Sequence, residues 1–222
     1  MQNLVNPEAS AAYIDYVIEH ANAVLSTPLT RDDVIGTWAG LRPLLQPGTK
    51  DGTSSAKVSR EHTVVEATPG LVTIAGGKLT TYRRLAEQVT DSVCAALRVV
   101  GHPWTARTPL PGGDLPGADL EKFRTRMARR YAWLDRPLLE RYARAYGTRM
   151  ERLLVGCRRM ADLGQAVLPG LTEREIAYLR REEFALTAED ILFRRTKLGV
   201  HLPTGSVARL ERWLTTHDTV TP

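Results

Sequence analysis

The sequence predicts an α+β fold in two unlike parts: a small antiparallel β-hairpin region with flanking helices, followed by an all-helical C-terminal domain. Three observations carry that prediction. Two runs rich in Val, Thr and Ile, Lys57–Glu66 and Leu71–Ala75, are separated by Ala67-Thr-Pro-Gly70, a good turn for pairing antiparallel strands. Between Gly101 and Gly117 stand four prolines and four glycines with no periodicity, which marks a linker. Beyond it, apolar residues recur every three to four positions almost to the end of the chain. The predicted boundary therefore divides residues 1–105 from residues 106–222.

Taken in order, Ile14, Val17, Ala21 and Val24 predict a helix over 13–25 that ends before Pro28. Thr30–Asp33 reads as a turn. From Val34 to Leu45, Gly36, Gly40 and Pro43 break any helix and favour extended backbone, and Gly48–Ser55 is a polar loop. The two strands follow. The second runs into Gly76-Gly77, after which Leu79, Tyr82, Leu85, Ala86, Val89, Val93 and Ala96 line one face of a helix whose first turn carries Lys78, Thr80 and Thr81. Past the linker, Leu120 to Leu134 and Leu138 to Tyr146 predict two helices, the second stopped by Gly147. Thr172-Glu-Arg-Glu175 has the form of a capping box opening another helix, Thr187-Ala-Glu-Asp190 opens the next, and Val207, Leu210 and Trp213 close the chain.

Composition excludes several functional classes. The 222 residues are 43% hydrophobic, enough for one sizeable domain or two small ones and too many for disorder. Two cysteines, Cys94 and Cys157, make no disulfide framework, and no Cys or His spacing suits a metal, so a reducing compartment is expected and no metal. The longest apolar runs fall far short of the roughly 20 residues that span a bilayer. Residues 1–105 carry 9 basic and 10 acidic side chains, net −1, and residues 106–222 carry 21 and 15, net +6. A modest, interleaved surplus of this kind suits a solvated helical surface or one resting on anionic lipid, and no specific nucleic-acid binding is expected.

The chemistry concentrates at Val72-Thr-Ile-Ala-Gly-Gly-Lys-Leu-Thr-Thr-Tyr-Arg83. A glycine pair between strand and helix lets a ligand approach the backbone, and free amides there favour a phosphate, a pyrophosphate or a reduced flavin. A nucleotide P-loop is excluded, because it needs glycine where Val72 stands and Ser or Thr where Leu79 stands. Arg42, flanked by apolar residues, needs an anionic partner if it lies inside, and Arg60 sits on the first strand. Convergence of Arg42, Arg60 and Lys78 would make a pocket for a phosphate monoester. The alternative is a tight turn with a salt bridge and solvent-facing charges. Of the five histidines only His62 lies near this place, and Cys94 reads as a buried helix residue.

At these residues the chain resembles the FAD-dependent, quinone-linked aerobic glycerol-3-phosphate dehydrogenases. Gly76-Gly-Lys-Leu-Thr-Thr-Tyr-Arg83, Thr37-Trp-Ala-Gly-Leu-Arg-Pro43 and Ser59-Arg-Glu-His62 carry the likeness, and Glu175-Ile-Ala-Tyr178 and Asp190–Gly199 extend it through the helical half. The resemblance implies a flavoenzyme that oxidises sn-glycerol 3-phosphate to dihydroxyacetone phosphate and passes electrons to membrane quinone. It implies that Arg42, Arg60 and Lys78 hold the substrate, and that Gly76, Gly77, Lys78, Thr80 and Thr81 face FAD. A Gly-x-Gly-x-x-Gly motif for the FAD pyrophosphate is also implied, and none occurs in this sequence. The expectation is a C-terminal portion lacking the N-terminal dinucleotide-binding half and the catalytic base, cytoplasmic or peripheral at the membrane, binding FAD weakly or not at all by itself. The competing reading is a non-enzymatic basic helical module that binds a partner protein, nucleic acid or anionic lipid.

Overall fold

The computed structural model describes residues 7–41 and 59–217. The chain divides into two compact units, Met1–Thr108 and Pro109–Pro222.

In the first unit, helix α1 (Ala11–Asn22) opens at Ser10, whose hydroxyl accepts the Tyr13 amide at 3.3 Å. The chain beyond α1 is tied back to it by polar groups. Asn22 bonds both backbone groups of Leu29, at 2.9 and 2.7 Å, and Arg31 grips Asp15 with two nitrogens at 2.6 and 2.5 Å. The turn expected at Thr30–Asp33 is a single 3-10 turn, Arg31–Asp33, closed by the Asp33 carboxylate on the Thr30 amide and hydroxyl. From Val34 to Leu41 the backbone has no regular structure. It borders a groove of about 600 Å³, lined on the helix side by Tyr13, Ile14 and Val17 and on the other by Val34, Trp38 and Leu41.

Strands β1 (Thr63–Thr68) and β2 (Leu71–Ala75) form the expected antiparallel hairpin. Thr63 pairs with Ala75, Val64 with Ile74 and Val65 with Thr73; a register shift then brings Thr68 opposite Leu71. The expected start at Lys57 lies outside the described residues. The strand itself begins later than the reading had it, because the Ser59 hydroxyl takes the Glu61 amide at 3.2 Å and bends the chain ahead of Thr63. Helix α2 (Tyr82–Leu97) also starts later than expected: a 3-10 turn, Leu79–Thr81, intervenes after the glycines. Its Arg83 bonds Glu87 at 2.5 Å, and Glu87 accepts from Thr105 at 2.5 Å. Among the described residues of this unit none is buried. Leu79, expected on an inward face, is 87% exposed, and Cys94 is half-buried rather than buried.

The second unit has the core. Helices α3 (Leu120–Arg130) and α4 (Arg136–Tyr146) pack together, α3 capped by Asp119 on the Lys122 amide at 2.9 Å, and Arg124 of α3 pairs with both Glu121 and Glu140. Gly147 ends α4 against Gly112. A Cβ at Gly147 would stand 1.9 Å from the Gly112 carbonyl oxygen, so no larger residue fits that crossing. Short helix α5 (Met150–Leu153) follows. Then comes a second hairpin that the helical reading did not contain, β3 (Ala166–Leu168) with β4 (Leu171–Thr172), turned by Gly170 at φ +74°. Helix α6 (Glu173–Glu183), a π-helical segment Asp190–Arg195 and helix α7 (Ser206–Thr216) complete the unit. Phe123, Met127, Tyr142, Met150, Ile176 and Leu179 are among the fully buried side chains at its centre.

Among the described residues, the acidic side chain buried at the heart of that core is Glu175. Arg141 reaches it with two nitrogens at 2.7 and 2.5 Å, the Tyr146 hydroxyl donates to it at 2.5 Å, and Arg141 also donates to the Gly170 carbonyl at 2.5 Å. Burial, with the Glu175 carboxylate close by, pushes the Tyr142 and Tyr146 hydroxyls well above the usual phenol range. The capping box read from Thr172-Glu-Arg-Glu175 is therefore half made. Thr172 accepts the Glu175 amide at 3.3 Å, and the Glu175 side chain turns into the core instead of back to the cap.

Candidate functional site

The β1–β2 hairpin positions the site. Because Thr63 stands opposite Ala75, the residues just ahead of β1 lie beside those that follow β2: His62 lies against Gly77 and Glu61 meets Lys78. Gly76 has φ +72° and Gly77 φ +121°, conformations that L side chains rarely adopt, so the turn off the strand depends on glycine at both places. A Cβ on Gly77 would meet His62 and Leu85 at 3.6 Å, which leaves contact distance and no more on that side. Among the described hydrogen bonds, none engages the amides of Gly77 and Lys78. Both residues are exposed.

The ammonium of exposed Lys78 pairs with the carboxylate of Glu61. Lys78 holds the Glu61 carboxyl below the usual range, through the hydrogen bond first and through its charge second. Arg60, the preceding residue, is exposed, with no acidic partner among the described residues. His62 turns to α2, its Nε2 at 3.0 Å from the Gln88 side-chain oxygen, and its Nδ1 is covered without a partner. That imidazole borders a polar concavity of about 530 Å³ shared with Arg84, Glu87, Gln88, Asp91 and Ser92.

Of the residues expected from sequence, the structure brings Gly76, Gly77 and Lys78 to one place with Glu61, and Arg60 stands one residue along the chain from Glu61 with no contact to them among the described residues. Arg42 lies outside the described residues. Thr81 donates its hydroxyl to the Lys78 carbonyl at 3.2 Å, which steadies the turn, and Thr80 is exposed. The glycine turn does not lead straight into the first turn of α2, which begins only at Tyr82. Two participants were missed in the sequence. Counting back from the Pro69-Gly70 turn puts Glu61 level with the glycine-lysine step to within a residue, a signal for the Glu61–Lys78 pair; nothing comparable marks Gln88.

Comparison with known proteins adds a family. Residues 103–216 match the model for the C-terminal domain of alpha-glycerophosphate oxidase, more than half of the chain. The chain belongs to this family. Over 203 residues, 90% of the chain, it is 40% identical to a glycerol-3-phosphate dehydrogenase of Pseudomonas aeruginosa and 37% identical to a D-erythritol 1-phosphate dehydrogenase of Brucella abortus. It is 34% identical over 205 residues to the aerobic glycerol-3-phosphate dehydrogenase of Escherichia coli. It covers 39%, 40% and 40% of these three proteins, so the chain spans about two fifths of the length of the relatives it matches. The similarity extends well beyond the matched domain into the residues that carry the glycine turn. Among the described residues no helix is long and apolar enough to cross a membrane, and no cluster of side chains could hold a metal ion.

Proposed function

We propose that this chain contributes the phosphate-binding and part of the flavin-facing surface of an FAD-dependent glycerol-3-phosphate dehydrogenase. In this reading residues 1–105 are part of the FAD- and substrate-binding domain and residues 106–222 are its helical companion. The observation that supports it is the Glu61–Lys78 pair, which ties the segment ahead of β1 to an exposed glycine turn after β2; Arg60, next to Glu61 in the chain, joins the phosphate in this proposal. A phosphate monoester needs such a site: two cationic side chains and peptide N–H donors converging from different strands. The relatives' names fit, since glycerol 3-phosphate and erythritol 1-phosphate are both polyol phosphates. Arg42 joins the same phosphate site in this proposal.

The residues present fit one edge of a flavin and no more. Gly76 and Gly77 have no side chains to block approach, and the Gly77 and Lys78 amides can donate to a ring that gains negative charge; Thr80 and Thr81 lie one step further along the turn. FAD, when bound, supplies the hydride acceptor for oxidation of the substrate's C2 alcohol. The residues of this chain bind and orient the ester so that C2 is held still, and Lys78 offsets the phosphate charge. The base that takes the hydroxyl proton is not assigned to this chain. Electron transfer to quinone and a resting place at the face of an anionic membrane belong to the same proposal, with the basic second unit as the surface concerned.

Titration of the 15N-labelled chain with glycerol 3-phosphate, with glycerol as the uncharged control, tests the site. Shifts confined to Gly77, Lys78 and the Arg60 side chain, lost in Lys78→Ala, are the expected result. Equal response to glycerol, or none to the phosphate ester, would refute it. Flavin fluorescence is expected to show no tight FAD binding by the chain alone, and stoichiometric quenching would overturn that part.

A further inference from the structure

The polar contact at the glycine turn is one that the proposed function leaves unexplained: the Lys78 cation is already occupied by a carboxylate of its own chain. Glu61 and Lys78 keep 59% and 42% of their side chains exposed, and an exposed pair of this kind contributes only a little over solvation. Glu61 has no second partner among the described side-chain contacts; only its backbone amide is fixed, by Ser59. A phosphate dianion carries twice the charge of a carboxylate and offers three oxygens to Lys78, Arg60 and the turn amides together. Left in place beside such an anion, Glu61 would repel it.

We propose that Glu61 is a displaceable counter-ion: it holds Lys78 in the absence of ligand and is expelled when a phosphate monoester binds, so that it sets the affinity and charge selectivity of the site. This rests on the assignment of Lys78 and Arg60 to the phosphate. The charged and titratable groups acting on Glu61 are Lys78 from the glycine turn and, weakly, His62 along its own segment, which is held by Gln88; Arg60 is its chain neighbour. Released, Glu61 gains water and loses little. Its neutral isostere removes both the competitor and the repulsion.

The test compares the wild-type chain with Glu61→Gln and Glu61→Asp in titrations with glycerol 3-phosphate and inorganic phosphate, read from the amides of Gly77 and Lys78. Glu61→Gln should bind either anion about 3- to 10-fold more tightly, as expected for removing one weak ion pair and one like charge, and Glu61→Asp should bind as wild type. The carboxyl carbon of Glu61, followed by 13C, should move on saturation with phosphate toward the position it has in Lys78→Met. Equal or weaker binding by Glu61→Gln, with binding by the wild type intact, overturns the counter-ion role and leaves the phosphate site standing. Absence of binding in wild type and Glu61→Gln alike overturns both.

Discussion

The two units of this protein solve opposite problems. Every buried apolar side chain among the described residues falls between Phe123 and Leu210, in the second unit, while the first exposes Tyr13, Tyr16, Val17, Ile35 and Trp38, the last at 90%. The first unit instead carries all the described residues of the candidate site. Its order comes from local polar ties such as Asn22 to Leu29, Arg31 to Asp15 and Glu87 to Thr105, each exposed or half-exposed and each contributing modestly. A two-stranded hairpin open on its faces is marginal in water by itself. The lesson is that a ligand-binding turn needs only local backbone geometry to be formed, whereas a stable unit needs a core, and here the two are held by different stretches of chain.

The sharpest way to break that comparison is to attack the buried ion pair. Glu175→Ala leaves Arg141 and the Tyr146 hydroxyl without their acceptor inside the core, and the expected loss is about 3–5 kcal/mol of stability in the second unit, read by urea unfolding. A loss under 1 kcal/mol would mean that water reaches the pair. Leu153→Ala removes a fully buried side chain and should cost about 2–5 kcal/mol. Trp38→Ala, a larger deletion in the first unit, should cost no more than about 0.5 kcal/mol, because the ring is already in water. Equal costs for Trp38 and Leu153 would erase the contrast. Hydrogen exchange sharpens it further: amides of β1, β2 and α2 should exchange by local opening, and those of α4 and α6 only through unfolding of the whole second unit.

How much of this is legible in the sequence can be judged from two turns built on the same Pro-Gly step. Ala67-Thr-Pro-Gly70 reads as a hairpin turn because β-branched runs flank it; Leu168-Pro169-Gly170-Leu171 pairs strands about the same Pro-Gly step without such a signal. Only three and two residues pair there, too few for an alternating pattern to show among helices. The helices themselves were readable, since their apolar spacing matches the side that became buried in α3, α4 and α6. In α2 the same spacing exists and its residues stay half-exposed, because periodicity names a face and does not supply what covers it. At the site, the need for glycine at 76 and 77 was visible, being a property of the local backbone. Glu61 as the partner of Lys78 could be counted from the turn only to within a residue, because that pairing depends on hairpin register, which the irregularity between Val65 and Thr68 shifts by one.

The smallest expected effect concerns acid, and it separates a cap from a core. Asp190 accepts the amides of Leu186 and Thr187 at 3.1 and 3.0 Å, while the Asp190 amide donates to the Thr187 hydroxyl at 3.0 Å. These bonds, the Thr187 amide foremost, hold the Asp190 carboxyl below the ordinary aspartate value of 3.8. A carboxyl depressed in the folded state contributes stability that is fully present above its unfolded value and is lost as pH falls through the lower, folded one. Asp190→Asn should therefore lower the urea midpoint of the second unit slightly at pH 7, and the gap from wild type should close as pH drops below about 4. Glu175→Ala gives the contrast at pH 7, where its deficit should exceed that of Asp190→Asn several-fold. A gap for Asp190→Asn that persists in strong acid would show that the carboxylate charge is not what the cap uses.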